Sequence, residues 1–538
     1  ELVKSMVNLL LLSAVVIFAS VFLNRVSNKL GIPMLLAFIL LGMGFGSDGL
    51  LKISFSDYHI TEDICTVALI FIMFYGGFST NWKQARPVAV KAGLLASLGV
   101  LITALLTGLC AHVVLNCSWP LSFLMGAVVS STDAASVFSV LRSRKLNLRD
   151  NTASLLEMES GSNDPFAYML TIIFIAMLQG ENNQGFTWLM VLAQVGFGLV
   201  FGFAVAYAAR FALRRFHFGD AGFTMVLIVG LALLAYALPT AVHGNGYLAT
   251  YIAGIMLGNT RFKDKRVVSH FFDGLTSLMQ IIIFFLLGLL STPHKLLEVA
   301  LPALGILLFL TFVARPVAVF ALLAPFPGSS REQKYLVSFA GLRGAASIVF
   351  AILAVVGTET GEIVFHVTFF IVLVSILVQG SLLPLASRRL GMIDDSNDVL
   401  KTFTDYTDEV PVQFIQFHIP TGHPWVGKTL KEIAFPPETL VVLREHGRER
   451  NVPNGQTVLE EGDRLVLSAK RGSEVKGIQL SEVTVQAGDE YEGRALREIH
   501  LESDQLIIMI QRDSQVVIPQ GDTMLKTGDV LVINRIEA

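Results

Sequence analysis

The sequence predicts an all-α polytopic membrane domain followed by two small α+β modules. Three observations predict it: a composition too apolar for a soluble chain, membrane-length apolar runs that stop near residue 390, and an internal repeat in what remains. Of 538 residues, 53% are hydrophobic and 15% charged, and mean hydropathy is +0.62. Soluble domains carry nearly twice that share of charge. A net charge of −3 leaves no excess of bases for a nucleic acid. Cys65, Cys110 and Cys117 lie in the apolar part without CxxC spacing, so they are read as packing residues. The first apolar segment lacks a basic lead-in and a small-residue cleavage site, and is read as a retained span.

Thirteen runs are long enough to cross about 30 Å of hydrocarbon. They cover 6–23, 33–47, 63–79, 89–114, 119–141, 152–178, 186–208, 221–239, 245–258, 268–290, 298–324, 333–356 and 364–386. Loop charge tests that count. The odd-numbered connections carry Arg25 and Lys29; Lys83 and Arg86; Arg142, Arg144, Lys145 and Arg149; Arg210, Arg214 and Arg215; Arg261, Lys263, Lys265 and Arg266; and Arg331 and Lys334. The even-numbered ones hold only Lys52 and Lys295. Positive charge marks the cytoplasmic side, which puts the N-terminus outside and the tail inside.

Domain organisation follows: a membrane domain at 1–390, an acidic polar linker at 391–410, and modules at 411–475 and 476–538. Residues 427–467 align without gaps onto 493–533 at a constant offset of 66: Gly427 on Gly493, Pro453 on Pro519, Gly462-Asp463 on Gly528-Asp529. Each copy reads as a short helix, a β run, a Pro-x-Gly turn and a last strand. No GxGxxG follows a strand in the tail, so a complete dinucleotide-binding domain is not expected.

Two stretches place charge inside apolar spans: VVSSTDAASVF (128–138) with Asp133, and LEMESGSNDP (156–165) with Glu157, Glu159 and Asp164. A charge at mid-bilayer costs from about 2.5 to above 10 kcal/mol, so it faces a cavity or a partner. The small and hydroxylated residues around Asp133 suit an interrupted helix, the kind of segment on which secondary transporters bind coupling ions. Glu157, Ser160 and Asp164 share one helical face, and Glu159 and Asn163 an adjoining one. A carboxylate in a partly dry cavity lets a proton and a hard monovalent cation compete for the same oxygens. Alternatively these acids are ion pairs locking helices together. Glu159 is read that way, because the deep arginines Arg315 and Arg343 need partners.

TDAASVF, ESGSNDP, ARP (314–316) and GLRGA (341–345), in this order on these spans, resemble the monovalent cation/proton antiporters of the NhaP and sodium/proton-exchanger branch, most closely bacterial potassium/proton antiporters of the cell-volume-regulation type. Each tail repeat resembles the RCK_C (TrkA_C) subdomain. The resemblance implies inverted repeats, broken helices in spans five and twelve, a homodimer in a bacterial inner membrane, and electroneutral exchange of cytoplasmic K⁺ for external H⁺. Carried over by position, Asp164 holds the metal cation (K⁺ or Na⁺) or the proton. Asn163, Asp133, Thr132 and Ser160 complete the ion site, Glu159 and Arg315 form a structural salt bridge, and Arg343 supports a broken helix. No resident cofactor is implied. The RCK_C resemblance makes a regulatory nucleotide such as cyclic di-AMP an expectation for the tail, with Arg444, His446 and Arg448 as its contacts; a solvated hairpin is the plainer reading of those three. A Na⁺/H⁺ antiporter is the alternative function; a cation channel and a non-transporting sensor are the others, and no TVGYG-type filter is present. His243 is read as a loop residue, His366 as structural, and Gly42, Gly76 and Gly77 as close-packing positions.

Overall fold

A computed structural model describes residues 14–22, 34–394 and 412–536, apart from positions 50–51, 54, 145, 181–183, 216–220, 261, 263, 437–438, 448, 471–477, 487–488, 490, 500–504, 513–514 and 518. The chain divides into two compact units, Glu1–Asp408 and Glu409–Ala538.

The described residues of the first unit form helices joined by short connections. Its helices are α1 (14–22), α2 (Met34–Phe45), α3 (Tyr58–Ser79), α4 (Ala89–Leu115), α5a (Trp119–Val128), α5b (Ala134–Ser143), α6 (Thr152–Leu178), α7 (Gln184–Arg215), α8 (Ala221–Thr240), α9 (Gly246–Gly258), α10 (Lys265–Leu290), α11 (Pro293–Leu323), α12a (Arg331–Phe339), α12b (Ala345–Gly357) and α13 (Gly361–Arg389). Among the described residues eight of these (α3, α4, α6, α7, α8, α10, α11 and α13) are long and apolar enough to cross a bilayer alone, while α2, α5a, α9 and α12b are shorter apolar helices. Their outward faces keep large apolar side chains exposed, such as Trp188, Leu297 and Leu301, as a lipid-facing surface requires.

The helices sort into two bundles. Helices α2, α3 and α7–α10 pack on one another, and α4–α6 and α11–α13 on one another; α3, α6, α9, α10 and α12b meet across the boundary. Backbone approaches backbone in the first bundle. A Cβ on Gly42 would strike the Phe285 carbonyl of α10, and one on Gly77 the Tyr251 carbonyl of α9. Gly76 has open space at its Cβ and lines a cavity instead, so its packing role is not what the structure assigns. In the second bundle α4, α11 and α13 each carry one π-turn, at Leu95–Gly99, Leu310–Ala314 and Ser375–Gln379. Such turns rotate the following side chains against the helical ladder.

Residues 391–394 are not free linker. Arg149 N–H donates to Met392 O (3.0 Å), Asp394 N–H to Asn147 O (3.0 Å), and Met392 is buried. The apolar Met392-Ile393 pair docks against the loop after α5b, so any linker starts later; 395–411 lie outside the described residues.

The second unit carries two antiparallel sheets of identical design. Strands β1 (Val412–His418), β2 (Thr439–His446), β3 (Glu449–Asn451) and β4 (Arg464–Lys470) are ordered β1-β4-β2-β3. Strands β5 (Ile478–Thr484), β6 (Gln505–Arg512), β7 (Gln515–Val517) and β8 (Val530–Ile536) are ordered β5-β8-β6-β7. Even the bulges correspond, falling between Val441 and Leu443 and between Ile507 and Met509. Each sheet has its own apolar core. The expected short helix of each module is only one 3-10 turn, Leu430–Glu432 or Leu496–Glu498. Each turn stops because the next residue, Ile433 or Ile499, takes extended backbone (φ −100°, ψ 124° and φ −94°, ψ 127°) and packs into its module's apolar core. The leading strands β1 and β5 lie ahead of the repeat visible in the sequence and complete each sheet.

Candidate functional site

The second bundle's two interrupted helices meet at their gaps. Helix α5a stops at Val128 and α5b starts at Ala134; α12a stops at Phe339 and α12b starts at Ala345. Between them two extended strands of backbone touch, with Asp133 N–H donating to Leu342 O (2.8 Å). Neither gap contains proline. The first is cut by Ser-Ser-Thr-Asp, whose side chains satisfy helix-end groups better than a continuing helix would; the second is bracketed by Gly341 and Gly344.

Four helix ends in one place need compensating charge. Arg343, 2% exposed, donates from one guanidinium nitrogen to both Ser130 O and Ser131 O (2.8 Å each), covering the carbonyls that α5a leaves unpaired. Asp133 does the converse for α5b. It accepts from Ala135 N (2.9 Å), Ser136 N (3.3 Å) and Ser136 Oγ (2.5 Å), and it lies so close to Gly344, at the start of α12b, that any side chain there would collide with it. Sequence reasoning missed two supports. Ser375 Oγ accepts from Arg343 N–H (3.3 Å) and donates to Gln379 (2.9 Å), whose amide donates to Phe339 O at the end of α12a (2.5 Å). A serine and a glutamine four residues apart on an apolar span were the available signal.

Helix α6 crosses beside these gaps. Ser160 Oγ accepts from Ala134 N (2.9 Å) and donates to Thr132 O (2.8 Å); Asn163 Nδ2 donates to Thr132 Oγ1 (2.5 Å). The Oδ1 atom of Asn163 is buried without a hydrogen-bond partner among the described residues. Asp164 accepts from Ser131 Oγ, a residue not singled out from sequence although it sits in the same SSTDAAS run. On the adjoining face Glu159 and Arg315 form a buried ion pair, at 1% and 2% exposure. Pro165 has no N–H to give the Gly161 carbonyl one turn earlier, so α6 leaves a backbone oxygen without its helical donor here.

A cavity of about 620 Å³ opens onto this cluster. Asp164, Asp133, Thr132 and Ser160 line it, so the structure brings together four of the five predicted ion-site residues at its surface and puts Asn163 directly behind Thr132. Glu157, Ser139 and Ser79 also line it, and each lies within a few turns in sequence of a basic connection. Asp273, Thr276 and Gln280 of α10 also face it; their i, i+3, i+7 spacing on one side of an otherwise apolar span was a legible signal. The donor set is hydroxyl, carboxylate and carbonyl oxygen, which suits a hard cation. Among the described residues no group of three His, Cys, Asp or Glu could chelate a metal. Elsewhere, His366 is buried with both ring nitrogens unpartnered among the described residues, and His243 sits in the turn before α9 with φ of +60°.

In the tail, Arg444 Nε and His446 Nδ1 both bind Asp463 (2.6 and 2.7 Å), and Arg512 binds Asp529 through two nitrogens (2.7 Å each). The two arginines and His446 are therefore turned onto carboxylates of their own modules. Burial pushes Asp463 up, but the Arg444 guanidinium, the Glu460 N–H and His446 outweigh it and hold the carboxyl below the usual range. Arg512 holds Asp529 low against a smaller burial effect. Arg448 lies outside the described residues.

Crossed interrupted helices beside a carboxylate-bearing cavity, inside a bundle with a lipid-type surface, define a polytopic transporter and not an enzyme. The chain belongs to the sodium/hydrogen exchanger family, whose transmembrane domain matches residues 14–388. The TrkA-C domain matches twice, at 414–474 and 480–533. The K⁺/H⁺ antiporter NhaP of Alkalimonas amylolytica is 35% identical over 82% of this chain and 78% of its own. NhaP2 of Shewanella sp. (strain ANA-3), also named a K⁺/H⁺ antiporter, is 33% identical over 86% and 81%. The Na⁺/H⁺ antiporter ApNhaP of Aphanothece halophytica is 25% identical over 68% and 71%. The fold is that of the sodium proton antiporter MjNhaP1 from Methanocaldococcus jannaschii, with a TM-score of 0.65, 24% identity, and coverage of 72% of this chain and 99% of that one.

Proposed function

We propose that this protein is an electroneutral K⁺/H⁺ antiporter that exports cytoplasmic K⁺ in exchange for external H⁺ by alternating access. Asp164 carries either the proton or the cation. The observation that supports this reading is the state of its carboxylate: one hydroxyl partner from Ser131, and otherwise a cavity large enough for a partly hydrated ion. Ser131, Thr132 and the Gly161 carbonyl supply neutral oxygens, while Asp133 and Ser160 fix the helix ends that shape the site. Glu159 and Arg315 neutralise each other and keep α6 docked on α11. The K⁺ preference rests on the names of the relatives from Alkalimonas and Shewanella, which align over most of the chain. Na⁺ is the second reading, favoured by the Aphanothece relative.

In this reading α5a–α5b and α12a–α12b each count as one crossing, which makes thirteen. The N-terminus is then outside and the tail modules are in the cytoplasm of a bacterium, below its inner membrane. The protein works as a homodimer, and the tail responds to a nucleotide such as cyclic di-AMP. The test is antiport in reconstituted vesicles with K⁺, Na⁺, Rb⁺ and Li⁺, for wild type and Asp164→Asn, with and without residues 395–538. Saturable, cation-driven collapse of a pH gradient that Asp164→Asn abolishes is expected. Unchanged coupled flux in that variant, or single-channel currents, would overturn the reading.

A further inference from the structure

The AVHGNGYLA turn before α9 lies where the two bundles meet, against the Pro165 side of Asp164, whereas the other α6 residues that line the cavity, Glu157, Ser160 and Gly161, all precede Asp164. Asn245, 2% exposed, is held there by its own backbone, whose N–H donates to Gln194 O of α7 (3.1 Å). Its side chain does two separate things. Oδ1 accepts from Leu248 N (3.0 Å) and caps α9. Nδ2 reaches across the boundary and donates to Pro165 O (2.7 Å), the carbonyl next to Asp164 in α6. Two residues on, Tyr247 (1% exposed) lies 4.9 Å from Tyr168 and 4.9 Å from Tyr236, ring centre to ring centre, with Phe350 of α12b 6.3 Å away. Tyr168 is one turn beyond Asp164 on the same face of α6. Thus the route from Asp164 away from the basic loops is filled by rings drawn from both bundles, and the one side-chain amide tying those bundles together there is that of Asn245, among the described residues.

We propose that Asn245 is the latch of this seal. Its bond to Pro165 holds the two bundles in the state that opens toward the basic loops, and that bond breaks each time the site turns to the other side. The carbonyl keeps its own helix partner, so the bond can open and close without unwinding α6. The inference rests on the alternating-access reading above.

The cap and the latch can be separated by mutation. Asn245→Ser keeps an N-cap oxygen but cannot reach Pro165, whereas Asn245→Ala loses both functions. Two cysteine reporters read the two sides, in a Cys110→Ala, Cys117→Ala background with Cys65 buried. Thr171→Cys reports the sealed side, since Thr171 is buried on the Asp164–Tyr168 face seven residues past Asp164. Ser139→Cys reports the open cavity. In right-side-out and everted vesicles, labelled with a membrane-impermeant maleimide, Asn245→Ser is expected to label Thr171→Cys about fivefold faster, the effect of one lost hydrogen bond on a minor population. Labelling at Ser139→Cys should not accelerate. Wild-type rates at both reporters, or faster rates at both, would overturn the latch. Labelling needs no transport, so inactive wild-type protein would sink the antiport reading while leaving this result to stand or fall by itself.

Discussion

The membrane unit and the tail treat buried carboxylates in opposite ways. In the tail, Asp463 and Asp529 are 0% and 1% exposed, and each is saturated by a cation and a backbone N–H. In the membrane unit Asp133 is similarly saturated, by the start of α5b, while Asp164 has one hydroxyl and a cavity. A carboxylate whose oxygens are all occupied is structural. One that is left short of partners and also faces a cavity, as Asp164 does and Glu159 does not, can exchange what it binds. The two acids of the crossing differ in this respect although both lie in polar runs of similar composition.

The largest effect expected from that contrast is at Asp164. Asp164→Asn should lower antiport by at least about a hundredfold, with the folded yield unchanged, because the amide keeps a Ser131 contact and loses the charge; flux and detergent melting check both halves. Next come the ion pair and the helix-end groups. Glu159→Gln should destabilise by about 3–5 kcal/mol by stranding Arg315, seen as a drop in melting temperature, and a double change to neutral residues should recover most of it. Asp133→Asn should keep the cap and most of the transport, whereas Asp133→Ala should cost about 1–2 kcal/mol of stability and far more activity; equal transport in the two variants would place Asp133 among the exchanging groups. Arg343→Met should reduce both yield and flux, with Arg343→Lys milder because one ammonium can still meet both carbonyls.

The smallest effect lies in the tail and depends on pH. Both aspartates are held below the free value of about 3.9, so their stabilisation is complete above that pH and is lost as pH falls through their lower folded values. Amide exchange in full-length protein should show β2, β4, β6 and β8 protected at pH 7 and progressively less so below pH ~4. Protection that rises on acidification would contradict the assignment.

Much of this was legible beforehand, for identifiable reasons. Apolar runs and basic loops reveal the spans because the bilayer imposes length and charge rules on every crossing. TDAASVF and ESGSNDP stand out because polar residues in such runs are costly. The tail repeat is visible because Gly-Asp and Pro-x-Gly turns need particular residues. Ser131 and Asn245 were not legible as site or support residues, since a single small polar side chain in a polar run or turn has no periodic signature, whereas Ser375 and Gln379 left a trace as a polar pair one turn apart on an apolar span.

By itself, then, the amino-acid order determined which segments enter the membrane, where they stop being helical, and that the tail is built twice, since those choices depend on local composition and backbone chemistry. Only the tertiary structure decided which carboxylate would be saturated and which left open. That outcome depends on which helix ends meet at Asp133 and which cavity reaches Asp164, and both are set by contacts between residues far apart in the chain. The same holds for the shortened helix of each tail module, where Ile433 or Ile499 leaves the helical turn for extended backbone and packs into a core built from distant strands.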